Sequence, residues 1–127
     1  MASDGIPIAV ASFILDRIES VEQMEILMLL AAEPAKNWNA DLVAREQRTS
    51  PRSTERWLEN LTTQKLLIQD GGNYRFPVDS EFKAVVDELG RTYASMRVAV
   101  IEAIFNKPLT KINTFAAAFK LCSDNDE

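Results

Sequence analysis

The stretch "RTSPRSTERW" (48–57) carries Arg48, Arg52 and Arg56 among small hydroxyl residues and one tryptophan. On a helix, Arg52 and Arg56 are four apart and stack on one face, each presenting a planar fork of donors. Such a fork binds guanine O6 and N7 in bidentate fashion, and an asparagine such as Asn60 can do the same for adenine. The plainer reading is the solvated side of an ordinary helix. Glu55 and Glu59 lie on the same exposed side and offset the arginines, each within i+4 or i−3 reach of one.

The rest of the chain narrows the choice. Formal net charge is −5 over 127 residues, which argues against a generic polyanion or membrane-surface binder. The charge is unevenly spread. Residues 1–33 hold six acids and one base, whereas residues 34–76 hold seven bases and five acids. Anion affinity must therefore reside in the middle third.

Histidine is absent, which removes the commonest general base and metal ligand. The single cysteine, Cys122, closes no intrachain disulfide and builds no thiolate metal site. There is no phosphate-binding glycine loop, nucleophile elbow or paired-carboxylate constellation, so neither an enzyme nor a cofactor is expected. The tail "SDNDE" (123–127) lacks the spacing and glycine of a calcium loop. The start "MASDG" is acidic where a secretory signal is basic, and the apolar run 6–15 is too short to span a bilayer. The expected location is the cytoplasm, with no membrane partner.

The elements that must position the arginines follow from local signals. Apolar spacing after Pro7 predicts a short N-terminal helix over 8–18. "SVEQ" (20–23) is a capping box opening "MEILMLLAA" (24–32), which is apolar nearly all round, as a buried central helix is. Asn39 caps a short helix with Leu42 and Val43 inward, and "RTS" is a tight connection. Ser50-Pro51 reads as N-cap plus N1 of a helix running to about Gln64, with Thr54, Trp57, Leu58 and Leu61 inward. "LLIQDGGNYRFP" (66–77) is a hairpin about Gly71-Gly72, with Leu67, Gln69, Tyr74 and Phe76 on one face. Trp38, Trp57, Tyr74 and Phe76 are read as packing residues.

Buried helix, short helix, tight turn, second short helix and small hairpin follow one another as in a winged helix-turn-helix. Over residues 20–77, on "LVAREQRTSPRSTERWLENLTTQKLLIQDGGNYRF", the sequence resembles the winged-helix domains of small bacterial transcription regulators. The helix beyond it is similar to that of dimerising regulators of the multiple-antibiotic-resistance and phenolic-acid types. The fold class implied is mainly α with a small β-hairpin wing, plus a long C-terminal dimerisation helix. The implied base readers are Arg52, Ser53, Arg56 and Asn60. The implied phosphate contacts are Arg45, Arg48, Ser50, Lys65 and Arg75. Double-stranded DNA is the partner this implies. A winged helix turned to protein binding is the alternative, because the wing is short and glutamates share the reading face.

Residues 79–106 are expected to form one long helix. Phe82, Val86, Leu89, Tyr93, Met96, Val100 and Ala103 repeat in steps of four and three, a heptad stripe. Such a stripe faces either the chain's own core or a second copy, and the surplus of apolar surface favours a homodimer seam. The organisation expected is an N-terminal helix (1–19), a winged helix (20–77), a dimerisation region (78–121) ending in a helix over 109–121, and a polar tail (122–127). A small-molecule effector would need an open cleft lined by Phe13, Tyr93 and Phe115.

Overall fold

The structure is a computed structural model and describes residues 5–106. The helix expected over 109–121, its Phe115 and the polar tail lie outside them. Helices α1 (Ile8–Arg17) and α2 (Val21–Ala32) are followed by α3 (Ala40–Gln47) and α4 (Pro51–Thr63). Strands β1 (Ile68–Asp70) and β2 (Asn73–Arg75) come next, then α5 (Lys83–Ser95) and α6 (Arg97–Phe105).

Local capping chemistry sets the starts of α2, α3 and α4. Both halves of the capping box at α2 form: the Ser20 Oγ accepts from the Gln23 amide at 3.0 Å, and Gln23 Oε1 accepts from the Ser20 amide at 3.3 Å. Asn39 Oδ1 accepts from the Leu42 amide at 2.8 Å, and Ser50 Oγ from the Ser53 amide at 3.1 Å. Each such cap stabilises its helix by about 1 kcal/mol.

Helix α2 is the centre of the molecule. Met24, Ile26, Leu27 and Leu30 are fully buried, and α2 packs against α4 on one side and α5 on the other. Burying each of these side chains contributes roughly 1.5–3 kcal/mol. Helix α3 differs from expectation. Val43 and Ala44 fill its contact with α4, so Leu42 faces out, because eight residues give the helix only one narrow buried edge.

The hairpin has the expected register, with Gln69 opposite Tyr74 and Ile68 opposite Arg75. Gly71 alone of the turn pair has positive φ, at 64°, as in the primed turn with glycine first. Trp38 adds a one-residue third rung, exchanging both backbone bonds with Tyr74 at 2.8 and 2.6 Å. Leu66, Leu67, Tyr74 and Phe76 are buried, which seats the hairpin on the core.

The expected long helix is two. Met96, at φ −134° and ψ 53°, separates α5 from α6. Just before it, the Ser95 hydroxyl donates to the Arg91 and Thr92 carbonyls at 3.2 and 3.4 Å, the kind of back-bond that bends helices. The bend returns α6 onto α1, burying Val100 and Ile104.

The stripe expected as a dimer seam is corrected accordingly. Val86, Leu89, Tyr93 and Val100 are buried within the single chain, and Phe82 and Met96 pack against the same core. Steps of four and three mark a buried face without saying whose surface covers it. Phe13 and Tyr93 are likewise core residues, so neither presents the open wall that an effector cleft between them requires.

Where α2 meets α5, the Tyr93 hydroxyl donates to Glu25 Oε2 at 2.7 Å, and the Arg97 guanidinium lies 4.7 Å from the ring centre. Burial, then the Glu25 hydrogen bond and charge, push the Tyr93 hydroxyl from 10.0 up to about 12, with Arg97 opposing. A raised phenol favours its neutral form in the fold. The stabilisation is therefore present below pH 10 and is lost as pH climbs from 10 towards 12. Denaturation midpoints measured across that window should fall, and Tyr93→Phe should flatten part of the slope. Tyr74, also raised, accounts for a further part.

Candidate nucleic-acid interface

Helices α3 and α4 pack on each other and are joined by a turn that Arg48 makes possible. Arg48 closes α3 in the left-handed conformation, at φ 57°, and the next amide, Thr49, reaches back to the Ala44 carbonyl at 3.0 Å. The Thr49 and Thr54 hydroxyls share a hydrogen bond of 2.7 Å, tying the turn to the buried side of α4. Leu58 and Leu61 are fully buried, which directs the opposite face of α4 to solvent.

On that face Arg52 and Arg56 are exposed, as are Arg45 on α3 and Arg48 in the turn. Among the described residues, none of the four forms an ion pair or hydrogen bond through its guanidinium. Ser50 caps α4 at its exposed end. Lys65 is exposed just past α4 and holds φ 69°. Arg75 on the wing differs, since its guanidinium lies 3.7 Å from Asp70, and that carboxylate offsets its charge.

Two expected base readers are otherwise engaged. The Ser53 hydroxyl donates to Glu22 Oε2 at 2.9 Å. Asn60 Oδ1 accepts from Gln23 Nε2 at 2.7 Å and from Gln64 Nε2 at 2.9 Å. Bidentate adenine recognition needs that oxygen as well as the amide, so Asn60 is a link to α2 rather than a reader. Gln23 is fully buried, and Gln23 and Gln64 also donate to the Arg17 carbonyl at 3.2 and 3.1 Å. This network fixes α4 against the α1–α2 junction. Sequence reasoning identified Gln23 as a capping residue and missed this second role, which appears only when α4 is laid beside it.

The glutamates occupy the wing side of α4. Tyr74 is pushed above its ordinary value by burial first, then by the charges of Glu59 and Glu55. Arg56, by contrast, lines a cleft on the α1–α2 side with Glu19, Trp57 and Asn60. Trp57 is half-buried, packing on the core with one side and lining this cleft with the other, so it is less enclosed than expected. On α4, Glu55 and Glu59 thus lie towards Tyr74 of the wing, and Arg56 lies towards the α1–α2 junction.

Arg48 offers a separable test of the turn. Arg48→Gly suits the left-handed conformation, so stability should stay within about 1 kcal/mol of the parent or rise. On the expectation that Arg48 holds a phosphate, the same change should weaken duplex binding evenly across sequences, which paired thermal melts and binding titrations would show.

No protein-family model matches the sequence, and no curated protein is similar enough to match it. The fold is similar to a solved structure of a MarR family protein of Mycobacterium tuberculosis, at 12% identity and a TM-score of 0.50. The similarity covers 88% of this chain and 80% of that one. A mainly helical body with a small two-strand antiparallel hairpin is consistent with that fold. The chain therefore folds as a MarR-like winged helix.

Proposed function

We propose that this protein is a DNA-binding transcription regulator that acts as a homodimer, with α4 entering the major groove. The observation that carries the reading is the run Arg45, Arg48, Arg52 and Arg56, exposed and without an anionic partner among the described residues. Arg52 and Arg56 read guanine edges, while Arg45, Arg48 and the Ser50 end of α4 hold phosphates. Lys65 and Arg75 are secondary phosphate contacts beside the wing. The test is selection from random duplexes at low salt, followed by anisotropy with the enriched sequence. A two-fold symmetric site with half-sites about 34–36 Å apart supports the reading. Failure to enrich any sequence above the starting pool counts against it.

Self-association is proposed through α1 and α6. Ile8, Val98 and Phe105 are 66%, 67% and 72% exposed on these two neighbouring helices, a concentration of large apolar side chains. Such a surface favours burial against a second copy. Replacing Val98 and Phe105 with aspartate should yield a monomer by sedimentation, while the circular dichroism spectrum stays that of the parent.

A protein-binding winged helix is the second reading. Glu55 and Glu59 on α4 and the Arg75–Asp70 pair on the wing favour it. It predicts a stoichiometric protein partner that Glu55→Lys disrupts, with no duplex affinity at low salt.

A further inference from the structure

The cleft of about 270 Å³ lined by Glu19, Arg56, Trp57 and Asn60 lies on the flank of α4, where the α1–α2 junction approaches it. Its volume corresponds to about nine water molecules, room for a small metabolite. The chemistry of its wall is lopsided. Arg56 brings a guanidinium with no partner among the described residues. Asn60 has its Oδ1 committed to Gln23 and Gln64, which leaves its Nδ2 as a donor. The half-buried Trp57 adds an indole N–H, to which no described residue is hydrogen-bonded, and a flat apolar surface. Against these donors stands one acceptor, the exposed Glu19 carboxylate, which has no cationic partner among the described residues.

We propose that this cleft binds a free α-amino acid. The carboxylate of the ligand would meet Arg56 and the Asn60 amide, its ammonium would meet Glu19, and its side chain would lie on Trp57. A simple anion satisfies the donors but is repelled by Glu19, and a simple amine does the reverse. A small zwitterion answers both. The network through Gln23 holds the Asn60 oxygen in place, so the donor side of the cleft is preorganised.

The test is an NMR titration of the full chain with the standard free L-α-amino acids, one at a time, at millimolar concentration. The indole and side-chain amide signals are followed, with Trp57→Phe assigning one of the two tryptophans. The expected result is saturable shifts of the Trp57 Nε1–H and Asn60 Nδ2 signals with at least one amino acid. Its N-acetyl and decarboxylated forms should give much weaker shifts. Arg56→Ala and Glu19→Gln should each weaken binding about tenfold or more. No saturable shift with any amino acid overturns the proposal, as does equal binding of the N-acetyl form. The DNA arm is separate. A chain that binds amino acid but no duplex refutes the regulator reading and leaves the cleft assignment standing.

Discussion

The double substitution Arg52→Ala with Arg56→Ala should lower affinity for a selected duplex by about a hundredfold or more. Each arginine bidentate to a guanine is worth about 1–3 kcal/mol, and a dimer presents two copies of the pair. Both side chains are exposed and none of their charge is used within the described fold, so stability should change by no more than about 0.5 kcal/mol. That separation makes the experiment informative. Competition anisotropy reports affinity, and a thermal melt of the same sample reports folding. Unchanged affinity would remove α4 as the reading element, whatever the melt shows.

Phe76→Ala should be the most damaging single change to the fold among those considered. Phe76 is fully buried just after β2, and its carbonyl accepts from the Ala35 amide at 2.9 Å. Deleting a buried phenylalanine typically costs about 3–5 kcal/mol, which is a large part of the roughly 5–15 kcal/mol that holds a domain together. Leu67 and Tyr74 share the face that Phe76 anchors, so the hairpin should loosen as a unit. A fall in melting temperature of at least about 10 °C is expected. Ile68→Ala, on the exposed face of the same hairpin, is the control and should shift stability only slightly.

How much of this was legible in the sequence depended on the range of the interactions. The Ser20–Gln23 box, the Asn39 cap, Ser50-Pro51 and the Gly71-Gly72 turn are chemistry between residues one to three apart, and each is where its motif places it. The bend at Met96 was not legible, because no proline or glycine marks it. It arises from the Ser95 back-bonds and from packing of α6 on α1. The stripe of Val86, Leu89 and Tyr93 was legible as a buried face, but periodicity does not name the surface that covers it.

The arginine face shows the same division. Exposure of Arg52 and Arg56 follows from the buried stripe of Leu58 and Leu61 on the same helix. The engagement of Ser53 and Asn60 does not, since their partners Glu22 and Gln23 lie 31 and 37 residues away. Sorting of Glu55 and Glu59 to the wing side likewise depends on where Tyr74 comes to rest. The glutamates and Arg56 nevertheless form no ion pair with each other among the described residues.

The proposal that the arginine face holds a duplex is tested most directly by the salt dependence of binding to a selected symmetric site. About six phosphates neutralised across a dimer predict a log–log slope near −5. Arg45→Ala with Arg48→Ala should make that slope shallower by several units as four phosphate contacts are lost. A slope near zero, or a slope that the double substitution leaves untouched, would contradict the account.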